Sequence, residues 1–318
     1  MIFDDIYGGV VNARNALYNR GIFKPRHLNW PVVSVGNISA GGSGKTPFVI
    51  VLGGLLLKKG IAIDVLSRGY RRSTSGVMKV EVSGTPQQFG DEPLLIARKL
   101  GCPVIVGESR HSAGLYAEDN DAGASQNRMH LLDDGFQHRQ LHRDFDIVLL
   151  NPEDLDDKLL PHGRLRESLA SLHRADAVAI DNEFPLERLP KGKFQLWRIE
   201  RKTEVPELNS PVVAFCGIAR PQRFFTALRS AGVELRKEIV FRDHHRYTAS
   251  DVQRLTAIHA GLPSSILVTT EKDAVNLGAH LDELRPVVIR MKIELQDSEN
   301  ALKYLLGLLA ERRVCPNL

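Results

Sequence analysis

Val32-Val33-Ser34-Val35-Gly36-Asn37-Ile38-Ser39-Ala40-Gly41-Gly42-Ser43-Gly44-Lys45-Thr46-Pro47-Phe48 is the stretch on which the reading of this chain turns. Val32 to Gly36 has the signature of a buried strand and Phe48 to Leu57 that of an apolar helix, so the glycines between them form a strand-to-helix turn. Glycines there let successive backbone N–H groups curl inward around phosphate oxygens, and the helix N-terminus adds its positive end. Lys45 is spaced to reach the β- and γ-phosphates of ATP, and the Thr46 hydroxyl to ligate Mg²⁺. Gly41, Gly42, Ser43, Gly44, Lys45 and Thr46 therefore read as a nucleotide-binding phosphate loop. One residue departs from the full G-x-x-x-x-G-K-[ST] pattern: its first glycine would fall at position 39, which is Ser39. A glycine-rich turn capping an ordinary helix is the bland alternative, and the GKT ending in its strand-to-helix context argues against it.

Outward from the loop, short apolar runs alternate with helical patterns. The runs are Val32 to Val35, Ile61 to Leu66, Val104 to Val106, Met129 to Leu132, Ile147 to Leu150 and Ala177 to Ile180; amphipathic stretches lie near 45 to 58, 91 to 100, 109 to 118 and 166 to 173. This predicts an α/β fold, a P-loop NTPase-like, mostly parallel sheet with helices on both faces. A second round (Val212 to Phe215, Glu234 to Phe241, Ile266 to Thr270 and Val287 to Met291, with helices near 221 to 231, 250 to 259 and 298 to 312) predicts a second, smaller α/β domain. The polar stretch Phe184 to Ser210, with Phe194 to Ile199 as a lone strand, separates them, giving domains at 1–205 and 206–318.

The chain has 318 residues, 43% hydrophobic and 25% charged, which suits a globular protein of two domains rather than a disordered one. Its net charge of +4 supplies no protein-wide field that would select a nucleic acid. Cys102, Cys216 and Cys315 are far apart, which excludes a CxxC metal site and a disulfide framework and fits a reducing compartment. No basic segment followed by an apolar one opens the chain and no apolar run reaches about 18 residues, so neither export nor a transmembrane helix is expected.

Leu131-Leu132-Asp133-Asp134-Gly135-Phe136-Gln137-His138 ends a short apolar strand in two carboxylates. An acidic residue at such a strand end holds phosphate-bound Mg²⁺ in P-loop enzymes, so Asp133 or Asp134 is a candidate metal ligand, although Asp-Gly is also an ordinary turn. Gly90-Asp91-Glu92-Pro93 opens a helix, where Asp91 is either an N-cap or a residue near the γ-phosphate. Ser67-Arg68-Gly69-Tyr70-Arg71-Arg72 follows a strand and concentrates three arginines, suited to phosphate or to solvent. Phe241-Arg242-Asp243-His244-His245 puts acid and imidazole side by side, and His244 could find its partner across an interdomain cleft. Phe3, Ile6, Tyr7, Val10, Val11, Leu17 and Tyr18 share one side of an N-terminal amphipathic helix, which either docks on the core or meets a lipid surface.

These motifs in this order resemble the tetraacyldisaccharide 4'-kinases over nearly the whole chain. The matching segments are Ser34-Val35-Gly36-Asn37-Ile38 with the phosphate loop, Ser67-Arg68-Gly69-Tyr70, Gly90-Asp91-Glu92-Pro93, Asp133-Asp134-Gly135-Phe136-Gln137-His138, Leu160-Pro161 with Gly163-Arg164-Leu165-Arg166-Glu167, Phe215-Cys216-Gly217-Ile218-Ala219 and Phe241-Arg242-Asp243-His244. That family's loop also resembles Gly-Gly-x-Gly-Lys-Thr more than a complete Walker A, and it often has Pro where Ser168 stands. The resemblance implies ATP and Mg²⁺ as cofactors and an acylated glucosamine disaccharide 1-phosphate as acceptor, phosphorylated at its 4'-hydroxyl in lipid A biosynthesis. It implies Asp91 and His244 as the pair serving that hydroxyl, with Lys45 on the donor phosphates and Arg68, Tyr70, Gln137 and His138 toward substrate. It also implies a peripheral enzyme at the cytoplasmic face of the bacterial inner membrane. Two rivals remain at this level: a P-loop switch or regulatory GTPase, with Thr270-Glu271-Lys272-Asp273 superficially like a guanine-reading motif, and a non-catalytic lipid adaptor.

Overall fold

The computed structural model describes residues 2–120 and 127–314, with side chains from 6 to 120 and 127 to 313; the side chain of Phe3 and all of Cys315 lie outside them. Twelve strands form the sheet: β1 (Val32–Asn37), β2 (Ala62–Ser67), β3 (Met78–Lys79), β4 (Val104–Val106), β5 (Arg128–Asp133), β6 (Phe145–Leu149), β7 (Ala177–Asp181), β8 (Gln195–Glu204), β9 (Val212–Cys216), β10 (Leu235–Val240), β11 (Ile266–Thr270) and β12 (Val287–Leu295). Their spatial order is β10-β9-β11-β12-β8-β7-β6-β1-β5-β2-β4-β3. All neighbours run parallel except β3 against β4 and β12 against β8. β1 lies between β5 and β6, with Val35 opposite both Asp133 and Ile147, so the loop leaving β1 emerges beside the carboxylates that end β5.

The apolar runs explain this layering, because successive side chains of a strand point to opposite faces and a strand buried on both reads as a continuous hydrophobic run. Val65, Val104, Val106 and Leu131 join Phe48, Leu52 and Leu56 of the helix Lys45–Lys58 and Leu302, Leu305 and Leu309 of the helix Ser298–Val314 in one core. Their neighbours Leu66, Ile105 and Leu132 face the other way, toward Ala113 of the helix Arg110–Asp119. The helix Lys45–Lys58 is apolar nearly all round, as a helix wedged between sheet and neighbouring helices must be.

Three local features differ from the sequence expectation. The stretch near 166 to 173 forms a 3₁₀ segment, Leu169–Arg174, rather than an amphipathic α-helix. The strand expected to stand alone extends to Glu204 and is paired on both sides, parallel to β7 and antiparallel to β12. Its apolar part is confined to residues 194 to 199 because the continuation, Glu200 to Glu204, presents half-exposed charged side chains, and alternation rather than hydrophobicity marks it. The two-residue strand β3 and the helix Glu271–Leu277 carry too little pattern to stand out in the sequence.

The N-terminal helix Ile2–Asn19 docks through polar groups. Tyr7 donates to the Arg166 carbonyl (3.3 Å), Asn15 to Glu167 (2.8 Å), and Arg139 donates to Asn19 (2.8 Å). Ile6 and Val10 point away, 57% and 65% exposed, and Ile22 and Phe23 beyond the helix are exposed as well. No helix among the described residues is long and apolar enough to cross a membrane.

Candidate active site

The phosphate loop is shaped by backbone that glycine adopts readily: Gly41, Gly42 and Gly44 have φ of 70°, 61° and 87°. Its entry is held from outside, where Ala40 donates to the Arg164 carbonyl (2.7 Å) and Arg166 to the Ile38 carbonyl (2.7 Å). Ser39, where the consensus would have glycine, forms an antiparallel bridge with Leu165, so its side chain is accommodated in a buried pairing. The same bridge delivers Arg166 to the site. Its guanidinium forks onto Asp134 (2.9 and 2.7 Å) and also reaches Asn37. Lys45 donates to Asn37 Oδ1 (3.1 Å) and lies 3.6 Å from Asp134.

The two adjacent carboxylates are in opposite electrostatic situations. Burial alone would raise the Asp134 pKa, but Lys45 and Arg166 overcome it and hold the group well below the usual carboxylate range. Asp133 is fully enclosed, and burial, with the Glu92 and Asp134 carboxylates beside it, pushes it up to about 7. One of its oxygens accepts from the Ser67 hydroxyl (3.2 Å); the other, Oδ1, is buried without a hydrogen-bond partner. A buried carboxylate oxygen lacking a donor, next to further carboxylates, suits a hard cation such as Mg²⁺, so the residues present fit that ion.

A second group assembles from distant parts of the chain. His244, in the turn after β10, places Nδ1 2.8 Å from Asp91 Oδ2, at the start of the helix Asp91–Leu100. Lys272, from the helix Glu271–Leu277, lies 3.2 Å from His244 Nε2, 3.7 Å from Asp91, 3.3 Å from Glu92 and 3.5 Å from Asp243. Asn276, one turn on, donates to Asp91 Oδ2 (3.2 Å). Asp91 is buried, which would raise its pKa, yet His244, Lys272 and Asn276 bring it down to about 2. Lys272 is raised in turn, its desolvation outweighed by Glu92, Asp91 and Asp243. His244 has φ of 57°, and its N–H donates to the Gly217 carbonyl (3.1 Å). Glu92 links the two groups: it contacts Lys272 and acts electrostatically on Asp133.

Of the other residues singled out, Tyr70 packs edge-on against the His244 ring at 5.2 Å, and Arg71 lies over Tyr70. Gln137 donates to the Asn37 carbonyl (2.9 Å) and so touches the Lys45 group. Burial and then Arg110, Arg143, Arg14 and Arg68 lower the His138 imidazole to about 4, so it is neutral at physiological pH. Arg68 is exposed and stands apart from both hydrogen-bonded groups, acting on this corner through its charge. Lys272, Asn276, Arg166 and Asn37 were not expected as site residues. The signal for Lys272 was its place directly after a strand, in a motif that suggested guanine; in the structure it faces Asp91 and His244 instead.

A glycine-rich loop between β1 and a buried helix, a lysine at the start of that helix and an aspartate pair at the end of the neighbouring strand β5 define a P-loop nucleotide-binding α/β protein. The family model described as Tetraacyldisaccharide-1-P 4'-kinase (LpxK) matches residues 1–310. A tetraacyldisaccharide 4'-kinase of Koribacter versatilis is 46% identical over 97% of this chain and 98% of its own, and one of Aquifex aeolicus is 35% identical over 95% and 96%. A solved structure, described as the "apo" form of LpxK from Aquifex aeolicus in complex with ATP, superposes with a TM-score of 0.77 at 32% identity, covering 96% of this chain and 97% of that one. The chain belongs to the tetraacyldisaccharide-1-P 4'-kinase family.

Proposed function

We propose that this protein is the ATP-dependent kinase that transfers the γ-phosphoryl group to the 4'-hydroxyl of a tetraacylated glucosamine disaccharide 1-phosphate, a lipid A precursor. The observation that carries the mechanism is the contact between Asp91 and His244, a buried carboxylate and an imidazole drawn from distant segments and joined by Lys272. In the transfer, the 4'-oxygen bonds to the γ-phosphorus as the bond to the β–γ bridging oxygen breaks, and ADP leaves with that electron pair. The hydroxyl proton passes to the Asp91–His244 pair, which aligns the oxygen as well as accepting its proton. Lys45 neutralises the β/γ-phosphates held by Gly41 to Thr46, and Thr46 with Asp133 or Asp134 would hold Mg²⁺, whose charge offsets that of the phosphates. Arg166 and Asn37 position Lys45 and Asp134. Tyr70, Gln137, His138 and Arg68 line the approach of the acceptor.

The inner-membrane face is the natural location for such an acceptor, and the exposed Ile6, Val10, Ile22 and Phe23 support contact of the N-terminal segment with lipid. Residues 1–205 and 206–318 act as two units, and because Asp91 and His244 lie on opposite sides of that division, their closure completes the site. The test is transfer of γ-labelled phosphate from Mg-ATP to the acylated disaccharide 1-phosphate. Labelled lipid made by the native protein is expected; its absence with folded protein rules the activity out.

A further inference from the structure

The C-terminal part of the chain reaches the phosphate loop at a second place, away from Asp91. The turn from β9 into the helix Pro221–Ser230 lies directly on the loop's first two glycines. A Cβ on Gly41 would stand 2.8 Å from the Ala219 Cβ; one on Gly42 would stand 2.7 Å from Arg220 Cγ, 3.0 Å from Cδ and 3.3 Å from Nε. Gly41 and Gly42 precede Lys45 by four and three residues, so in a loop whose lysine reaches the β- and γ-phosphates their backbone borders the terminal phosphates. Arg220 thus runs its stem along the wall of the nucleotide cradle.

Its guanidinium is incompletely matched. The side chain is 9% exposed, and none of Nε, Nη1 and Nη2 has a hydrogen-bond partner. Glu153 (3.2 Å) and Asp154 (3.6 Å) balance its charge without meeting its N–H directions, and Glu153 is held by Arg223. Buried polar groups are rarely left without acceptors, and a planar fork of N–H donors matches phosphate oxygens. Arg201, on β8, is already committed to the Ser43 carbonyl (3.0 Å) and to Asp181.

We propose that Arg220 donates to the phosphate oxygens of ATP in the loop and neutralises the charge that gathers on the β–γ bridging oxygen as its bond to the γ-phosphorus breaks. It is an arginine supplied to the phosphate loop by the far part of the same chain, and its position over Gly42 makes phosphoryl transfer depend on the two parts being in contact. The inference rests on the kinase reading but concerns the donor side alone.

The experiment compares the native protein with R220A, R220K and E153Q, measuring the rise in unfolding temperature with Mg-ADP and then with Mg-ADP plus aluminium fluoride, which mimics the phosphoryl group in flight. The native protein is expected to gain an extra rise with fluoride. R220A should lose that increment while keeping the ADP shift, R220K should keep part of it, and E153Q should keep it all. In the labelled-phosphate assay R220A should lower kcat by about 10³-fold, the low end for an arginine serving a transferring phosphoryl group, with the acceptor KM unchanged. An R220A protein that retains the fluoride increment overturns the inference and leaves the kinase reading standing. So does an E153Q protein that loses as much as R220A, since Arg220 would then be a strut between segments. A native protein that binds no ADP overturns both.

Discussion

The Lys45 group and the Asp91 group are built in opposite ways. The first is largely local: Asn37, Lys45 and Asp134 come from β1, the helix that follows its loop and the end of the adjacent strand β5, so pairing two strands brings them together, and Arg166 joins them from further along the chain. The second draws on residues more than 150 positions apart in sequence, joined across the molecule through side chains alone. A lysine and a carboxylate beside a phosphate loop can be laid into one strand-loop-helix unit and its neighbouring strand, whereas the Asp91 group, proposed above to serve the acceptor, depends on how distant parts of the chain meet. The first should resist perturbation of the contact between halves, and the second should not.

The sharpest way to break this comparison is to remove the Asp91–His244 contact. D91N and H244A are each expected to lower kcat by about 10²- to 10⁴-fold, the range for a positioned acid-base group, with ATP binding retained. The double variant should be little worse than either alone, because two groups acting as a unit are non-additive. Full additivity in the labelled-phosphate assay would show separate roles. K45A should do the reverse, losing nucleotide binding in calorimetry while the protein stays folded.

A smaller effect is expected at Lys272. K272M removes the cation that helps hold Asp91 near 2, so the acid limb of the pH–rate profile should move upward and kcat fall by about 10-fold, as for a removed charge-assisted contact. The contribution of Asp91 to stability is fully present above the ordinary carboxylate range and lost as pH falls toward about 2; in K272M that contribution should be smaller and its loss complete at a higher pH.

Asp133 supplies the contrasting case, since its pKa is raised. It keeps a proton up to about pH 7 that an unfolded chain has released, so its effect on stability worsens as pH rises from the ordinary carboxylate range to 7. A cation held by Asp133, one of the two proposed ligands, must displace that proton, and apparent Mg²⁺ affinity in the nucleotide complex should then fall by about tenfold per pH unit below 7. D133N should abolish the dependence, read by titrating Mg²⁺ at several pH values. The smallest effect concerns the surface: I6S with V10S should weaken binding to anionic lipid vesicles several-fold, which the loss of as little as one buried CH₂, about 0.8 kcal/mol, is enough to produce, while leaving Mg-ATP binding unchanged. Unchanged vesicle binding would remove the N-terminal helix from membrane contact.

Much of the fold was legible because its strands are buried on both faces and read as apolar runs, Val104 to Val106 and Ile147 to Leu150 being unbroken ones. Where that condition fails, legibility fails: the charged end of β8 and the two residues of β3 were missed, and the 3₁₀ segment Leu169–Arg174 passed for an α-helix because both repeat apolar residues every three or four positions. Among the candidate site residues, Lys45, Thr46, Asp133 and Asp134 were expected from motif chemistry. Arg166, Asn276 and Lys272 do not, since nothing near them in sequence tells which distant carboxylate they will face.

The phosphate loop and the parallel sheet behind it were determined largely by the sequence itself, because each rests mostly on contacts between neighbours in the chain or on an apolar periodicity that any folded form must bury. Ser39 is the measure of its limit: read alone it is a missing glycine, and only its pairing with Leu165 makes it part of the loop. Tertiary structure alone decided that Lys272 faces Asp91 rather than a base, that Asp133 is raised while Asp134 is lowered, and that Arg220 lies on Gly42. The reason is physical: burial and the charge of residues brought close by the fold dominate those properties, and neither can be read from the adjacent sequence alone.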